Sequence, residues 1–537
     1  MKIGILHQYS LYGSGSSVYA RDMTRYLARL GHEVHLISLE PHPENYDFFD
    51  AAYIHRDDGS QILFSRTQPP SCTSHTLAYR PVPVAYDRID LPETKHFVAL
   101  SDFEIEDYVT FFLDKVKILA ERHTFDVIHA HHTVLPPYVA RLVKKELGIP
   151  YVVTIHGSII EYVVLRDARY KHYATEGLRG AGSIVVLNQD VRARVLKICP
   201  DIEPSLAQIP VGVDGDTFHP LPIERRPAVV NRLIQHLDAR KKLGKTAQLQ
   251  RQTWQAVKSI GEEEMAVAAF DLQSRYNASY PDADLPHKLA QIDWQKDNVL
   301  IYFGKLLFDK GVHCLIAALP NIMAAAPNTK LLIIGSGMDR EFFEIGVAAL
   351  DQGRLDCFRQ AMQAGMAGRK EHATFYKYMT RFLESIDQAA YAARARGRML
   401  QNIIFTGYMT RADLAALLPC ARVALVPSII KEAFPLVSIE SLACGVIPMA
   451  SYFSGLAPVL EEVAAALGAP GELAKIGHSP ETMVRDLSQN VPALLSILSN
   501  RSTAKEISAI CRKLIEQKYR WRAVISEVEG LYRALGA

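Results

Sequence analysis

The sequence predicts an α/β protein built from two parallel-sheet domains in series, each enlarged by extra helices. Three observations predict it. A strand–glycine turn–helix–strand unit opens the chain, the same alternation restarts near residue 298, and a charge-rich stretch without strand-like runs separates the two. Such alternation yields a parallel sheet with helical crossovers. At 537 residues the chain also exceeds what one hydrophobic core supports, roughly 150 residues per domain being usual.

The apolar run over residues 2–7 ends at His7 and is followed by YSLYGSGSS. Tyr19, Met23, Tyr26, Leu27 and Leu30 then repeat at helical spacing, Gly31 stops the helix, and VHLISL (34–39) reads as a buried strand. FDVIHAHH (125–132) and PYVVTIHG (150–157) are strands around the helix PPYVARLVKKEL (136–147), and SIVVLN (183–188) and LAQIPVGVD (206–214) supply two more. These place a first domain at 1–215. From Leu221 to Asp297 the alternation stops, and helices are expected near 228–242, 246–259 and 262–275. This stretch is too long and too periodic for a linker, so it is read as a helical insertion at 221–297 between the domains. A second βαβ series starts at 298–322 and continues through TKLLIIGSG (329–337), a further helical block at about 339–400, NIIFTGYM (402–409), VALVPS (423–428) and LVSIESLAC (436–444). It defines a second domain over 298–510, and the chain closes on an amphipathic helix, about 517–537, carrying Trp521. Sheets of this kind bind ligands beyond the carboxyl ends of their strands, so a cleft between the domains is expected to hold the chemistry.

Bulk properties exclude several classes. With 49% hydrophobic and 22% charged residues the chain is globular, and 60 basic against 58 acidic side chains give no nucleic-acid signature. The seven cysteines are scattered without a CxxC pair and read as reduced thiols. MKIGILHQYS has only a five-residue apolar start, and no run reaches the 18 or so residues of a membrane span. A soluble, cytoplasmic protein is expected. A peripheral membrane contact through an amphipathic face and self-association stay open.

Chemistry concentrates at VALVPSIIKEAFPLVSIESLACG. A buried strand delivers the chain to a loop, and Pro435 sits where the following helix begins, which its fixed φ suits. A helix N-terminus is a ready anion site. Glu432 lies just before it and Glu440 about one and a half turns inside it. Two carboxylates so placed can hold sugar hydroxyls and a ribose while the helix end faces a diphosphate; the spacing alone fits a pair of surface glutamates equally. In FGKLLFDKG, Lys305 and Lys310 follow a buried strand and could neutralise a leaving diphosphate, although loop lysines are often simply solvated. Gly13, Ser14 and Gly15 form a small-residue turn that would let the backbone approach a phosphate or sugar, or merely a tight turn; the run falls short of GxGxxG. His129, His131, His132 and His156 gather at two strand ends, without a cysteine or carboxylate to complete a tetrahedral metal set, so a hydrogen-bonding role is read. The pairs Asp214/Asp216 and Asp282/Asp284 are read as structural, and no metal or other cofactor is expected.

Together GHEVHLISL, FDVIHAHH, VGVDGDTF, FGKLLFDKG, LLIIGSG, IIFTGYM and the Glu432–Glu440 segment resemble the retaining glycosyltransferases of family four, the group 1 transferases. The resemblance covers about 1–220, 296–465 and the Trp521 tail. It implies the GT-B fold, two Rossmann-like domains facing a cleft, with a nucleotide-sugar donor (UDP-, GDP- or ADP-linked) in the second domain and a hydroxyl acceptor mainly in the first. On it, Glu432 would meet the sugar hydroxyls, Glu440 the ribose, Lys310 the diphosphate, and His131 the donor sugar near the reacting carbon. Phe434, Pro435, Leu436 and Val437 would line the donor site, and Gly13–Gly15 would form the acceptor and phosphate loop. Lys305 stands where the family commonly has arginine, keeping charge without a bidentate grip. Pro435 replaces a frequent glycine and removes one N–H. Rival readings are a glycogen- or starch-synthase-like enzyme, whose usual loop lysine YGSGSS lacks, an epimerase or hydrolase on the same fold, and a non-catalytic sugar-nucleotide-binding relative.

Overall fold

The computed structural model describes residues 1–85, 93–255, 257, 262–367 and 372–537. The end of the helix expected over 246–259 lies partly outside them. The chain forms two compact units. Unit 1 comprises Met1–Gly212, Glu432–Leu436 and Lys518–Ala537, and unit 2 comprises Val213–Lys431 and Val437–Gln517.

Unit 1 is built on β1 (Lys2–Leu6), β2 (Glu33–Ser38), β3 (Ala51–Arg56), β4 (Gly59–Ser65), β5 (Cys72–Leu77), the short pair β6 (Val82–Val84) and β7 (Thr94–His96), β8 (Val127–His131), β9 (Tyr151–Ile155), β10 (Ser183–Val186) and β11 (Leu206–Gln208). Nine of these strands form one sheet in the order β11-β10-β9-β8-β1-β2-β5-β3-β4. It is parallel except for β4, which runs antiparallel to β3 as a hairpin edge. The helices α1 (Gly15–Arg29), α2 (Asp102–His123) and α3 (Pro136–Leu147) are the main crossovers. Ser14 caps α1, accepting from the Ser17 N–H, and Ser101 with Glu104 forms a full capping box on α2. The strands β3 to β5 and the helix α2 occupy a stretch to which the sequence reading assigned nothing. The strand expected over 206–214 shortens to Leu206–Gln208.

The last twenty residues belong to unit 1. Trp521 opens the helix Trp521–Ala534, is 1% exposed, and packs against Tyr19 and Tyr26 at ring separations of 5.3 and 5.8 Å. A Cβ on Gly212 would come within 2.4 Å of its indole, so only glycine leaves room for the ring. Trp521→Ala is expected to cost about 3–5 kcal/mol, the usual penalty for emptying an aromatic slot, read as a lower denaturant midpoint for unit 1.

Unit 2 carries a six-stranded, wholly parallel sheet in the order β14-β13-β12-β15-β16-β17. Its strands are β12 (Asn298–Phe303), β13 (Thr329–Ile334), β14 (Ile403–Gly407), β15 (Val423–Val426), β16 (Ile447–Ser451) and β17 (Lys475–Ile476). The stretch expected as an insertion between the domains falls in this unit, as helices Arg226–Asp238, Ala247–Gln255, Glu262–Gln273 and Leu285–Ala290. It is tied to the sheet edge by a Pro281–Gly407 bridge and by the Asp282 N–H donating to the Thr406 carbonyl at 2.8 Å. Among the described residues the block at about 339–400 forms four more helices, the first Arg340–Asp351.

What joins these helical blocks is ionic and buried. Arg340 donates to Asp282 at 2.8 Å and to Glu344 at 2.9 Å, Lys245 to Glu344 at 2.6 Å and to Glu341 at 3.3 Å, and Lys288 to Asp282 at 2.9 Å. Three cations thus face three carboxylates, with the Tyr276 hydroxyl donating to Glu341 at 2.7 Å. Asp282 is therefore a structural residue, and so is Asp214, whose carboxylate accepts from the N–H groups of Asp216 and Thr217. All seven cysteines are buried and free.

Candidate functional site

In unit 2 the loop after β12 is held by its own backbone. The Tyr302 hydroxyl donates to the Lys305 carbonyl at 2.6 Å, and the Phe308 N–H donates to Asp339 at 2.9 Å. A single turn, Phe308–Lys310, then leads through Gly311 into the helix Val312–Ala325. Gly311 adopts φ +71°, and a Cβ there would strike the Pro427 carbonyl at 2.0 Å. The Ile429 N–H donates to the Asp309 carbonyl at 2.9 Å. The lysine loop and the exit of β15 are thus stitched together, and Lys305 and Lys310 are both half-buried there.

The exit of β15 leads to the helix Leu436–Ala443. Glu440, on its second turn, is 4% exposed and pairs with Arg411 at 2.7 Å. The guanidinium of Arg411 lies over the Phe218 ring at 4.9 Å. Sequence reasoning missed Arg411, because nothing in the linear order links residue 411 to residue 440. It missed Ser438 too, whose buried hydroxyl sits in the first turn of this helix with no partner among the described residues. A serine two residues before a glutamate was the available signal.

In unit 1 the remaining predicted residues come together. Gly13 takes φ +80°, Ser14 caps α1, and Gly15 starts it. The space beside the Gly15 Cα is bounded by the Leu436 side chain, 3.6 Å from where a Cβ would stand. The Ala433 carbonyl accepts from the Asn188 amide at 2.6 Å, and Ala433 also borders Gly157. Glu432 and Phe434, half-buried, flank it, and Pro435 is buried; the Phe434 ring lies 6.0 Å from Tyr519. The segment Glu432–Leu436 therefore groups with unit 1, whereas Val437 and Glu440 group with unit 2.

Beside Gly157 stands a histidine stack. His131, at the carboxyl end of β8, shares a 3.0 Å hydrogen bond between its Nδ1 and Nε2 of His156. His129 bonds Tyr532 at 2.6 Å and Thr154 at 2.7 Å, which makes it a satisfied core histidine. The Nε2 of His131 has no partner among the described residues. Burial, then the neighbouring His129 and His156 rings, push the His131 imidazole far below its ordinary range, and burial takes His156 down to about 3. At neutral pH these rings are uncharged and serve as hydrogen-bonding groups.

Residues 14–212 match the family described as Glycosyl transferase 4-like domain, and residues 383–486 match Glycosyl transferases group 1. The glycogen synthase of Mycobacterium tuberculosis is 26% identical over 236 residues, 44% of this chain and 42% of that protein. The MMP alpha-(1->4)-mannosyltransferase of Mycolicibacterium hassiacum is 28% identical over 257 residues, 44% of this chain and 56% of that protein. The chain thus spans about half the length of these relatives. Among solved structures, sucrose-phosphate synthase from Thermosynechococcus elongatus superposes with a TM-score of 0.56 at 16% identity, covering 100% of this chain and 99% of that one. The catalytic domain of starch synthase IV from Arabidopsis thaliana, bound to ADP and acarbose, gives 0.55 at 11% identity over 99% of both chains. Anabaena HepE in complex with UDP-glucose gives 0.54 at 13% identity over 100% and 99%. The fold is GT-B.

Proposed function

We infer that this chain, which belongs to the group 1 glycosyltransferases, moves a sugar from a nucleotide-sugar donor to a hydroxyl acceptor with retention at the anomeric carbon. One observation carries the reading. The Asp309 carbonyl in the loop of Lys305 and Lys310 accepts from the Ile429 N–H just past β15, and Gly311 packs directly against the Pro427 carbonyl there, on the segment that leads to the helix of Glu440. Two cations are then presented from one backbone frame shared with the exit of β15, which suits a diphosphate whose charge grows as its bond to the sugar breaks.

In this reading Lys310 and Lys305 stabilise the leaving diphosphate, and Glu440, oriented by Arg411, accepts from the ribose. Glu432 accepts from the sugar hydroxyls. Phe434, Pro435, Leu436 and Val437 shape the donor pocket. His131, neutral and held by His156, offers its Nε2 to the sugar near the reacting carbon. Gly13, Ser14 and Gly15 receive the acceptor. The acceptor attacks on the face the diphosphate leaves, its proton passing to the departing phosphate, so no covalent enzyme nucleophile is required. The lysines carry the charge a metal would otherwise supply, and the transfer needs none.

The relationship to a glycogen synthase and to an alpha-(1->4)-mannosyltransferase favours a saccharide acceptor, with a glucan as the second reading. The loop YGSGSS without a lysine weighs against the glucan. No helix among the described residues is long and apolar enough to cross a membrane, which suits catalysis outside the bilayer.

A thermal-shift screen against UDP-, GDP- and ADP-sugars tests the donor. A true donor at a hundredfold excess over its Kd adds about 2.7 kcal/mol to stability, a rise of several degrees in Tm. Silence from all three classes would favour a non-catalytic relative.

A further inference from the structure

Unit 1 contains a second histidine group that the proposed transfer does not use. His35 on β2, His75 on β5 and His123 at the last turn of α2 each offer a ring nitrogen, and the three nitrogens lie within 4.8 Å of one another. His35 and His75 are buried, His123 is half-exposed, and the His35 and His123 rings are 4.0 Å apart. We propose that His35, His75 and His123 form a binding site for one divalent transition-metal ion of the zinc type, with water as the fourth ligand. The ion would act as a structural tie between the sheet and the end of α2.

Donor chemistry and spacing support this. Two imidazole nitrogens on one tetrahedral ion at about 2.0–2.1 Å stand roughly 3.3 Å apart. His35 Nδ1 and His75 Nε2 are 3.0 Å apart and all three ligand nitrogens lie within 4.8 Å, so turning the rings to aim their lone pairs at a common point, with the third nitrogen drawn in, would admit the ion. The supporting groups behind the ligands are already in place. The other nitrogen of His35, Nε2, donates to the Glu33 carboxylate at 3.0 Å, and the other nitrogen of His75, Nδ1, shares a 3.0 Å bond with His55 Nε2. His55 in turn meets Ser60 at 2.7 Å. Metal-bound histidines characteristically hold their second nitrogen in this way.

The proton inventory closes. Without an ion, the Glu33 bond fixes His35 with its proton on Nε2, so His75 Nε2–H donates to His35 Nδ1 and His55 Nε2–H donates to His75 Nδ1. With an ion on His35 Nδ1 and His75 Nε2, the His75 proton moves to Nδ1 and donates to His55, whose own proton moves to Nδ1 and donates to Ser60. Each ring stays neutral, and no net proton is released. The hydrogen-bonded chain is thus a complete ion-free form, and ligation requires only proton shifts along it together with reorientation of the rings.

The site lies apart from the proposed chemistry. His35 is in register with Gly4 of β1, which pairs with Ile128 of β8, and His131 lies three residues further along β8. That puts His35 some 10 Å back toward the amino ends at about 3.3 Å per residue, and His75, level with Ala130 through Ile37 and Leu6, lies three strands from β8, about 14 Å to the side.

The test uses the full chain, treated with chelator and then titrated with Zn2+, with Co2+ as the spectroscopic probe. One equivalent is expected to bind, to survive desalting and to raise Tm by about 5 °C, and Co2+ is expected to show the d–d absorption of a four-coordinate nitrogen site. His123→Gln, at a helix end, is expected to abolish the shift and the spectrum. Glu33→Gln, which touches no ligand nitrogen directly, is expected to weaken binding about 10- to 100-fold while the ion-free Tm is little changed. Absence of a bound equivalent in the unaltered chain overturns the proposal. So does unchanged binding in both variants, which would place the ion elsewhere, for instance at His131 and His156.

Discussion

Lys310→Ala is expected to lower kcat by about a hundred- to a thousandfold while the chain stays folded, the usual loss when one preorganised charge-stabilising group is removed. The fold should survive because the turn is held by its backbone. The turn is held by Gly311 against Pro427, by Ile429 on the Asp309 carbonyl and by Phe308 on Asp339, and those groups do not depend on the residue 310 side chain. A charge that matters as the diphosphate departs acts chiefly in the transition state, so kcat should fall much more than KM rises. Lys310→Arg should restore part of the rate, because charge is kept and only its placement changes. Steady-state kinetics with the donor found by thermal shift checks all three statements. Full activity in Lys310→Ala would remove it from the site, and Glu432→Ala, expected to be as damaging, tests the other half of the assignment in the same assay.

Arg340→Met is expected to destabilise unit 2 by about 3–5 kcal/mol, the cost of leaving buried carboxylates without their partner. Arg340 is 1% exposed and serves Asp282 and Glu344 at once, so both acids lose a donor. By contrast, deleting the exposed Arg381–Glu384 pair should change stability by less than about 1 kcal/mol. The network also sets a pH dependence. Burial alone would raise the Asp282 and Glu344 carboxyls; Arg340 with Lys288 outweighs it at Asp282, Lys245 with Arg340 at Glu344, and both end below their ordinary range. A depressed folded-state pKa means stability that is fully present above the unfolded value of about 4 and is lost as pH falls through the folded value. Urea midpoints measured from pH 7 down to pH 3 should therefore fall in the unaltered chain, and fall less steeply in Arg340→Met.

The alternation of apolar runs, glycine turns and amphipathic helices made β1, α1, β2 and the series from β12 legible, because each carries its own local signal. The Glu432–Glu440 segment was legible because strand, proline and helix follow in order. Other parts hide for identifiable reasons. β5 reads CTSHTL, polar by composition yet wholly buried, with the Thr76 hydroxyl donating to the Glu40 carbonyl and His75 bonded to His35 and His55 rather than to water. β4 is an edge strand whose apolar residues stay largely exposed, so it lacks the alternation that marks a half-buried strand. Arg340, Glu341, Glu344 and Lys245 look like a solvated helix face, and only the fold brings residue 245 against residues 341 and 344. His35, His75 and His123 are separated along the chain, and parallel pairing of β2 with β5 is what unites the first two. Arg411 is invisible for the same reason.

The Trp521 helix has a temporal consequence. Ribosomes add roughly 5–20 residues per second, so some 15–60 seconds separate the emergence of Gly212 from that of Trp521, about 300 residues later. Throughout that interval the slot formed by Tyr19, Tyr26 and Gly212 is an uncovered aromatic groove on a nascent unit 1. Completion of this half of the molecule is deferred until the Trp521 helix has been synthesised. A chain stalled before Trp521 would display the groove to the cell's chaperones and proteases, while one that has passed it conceals it.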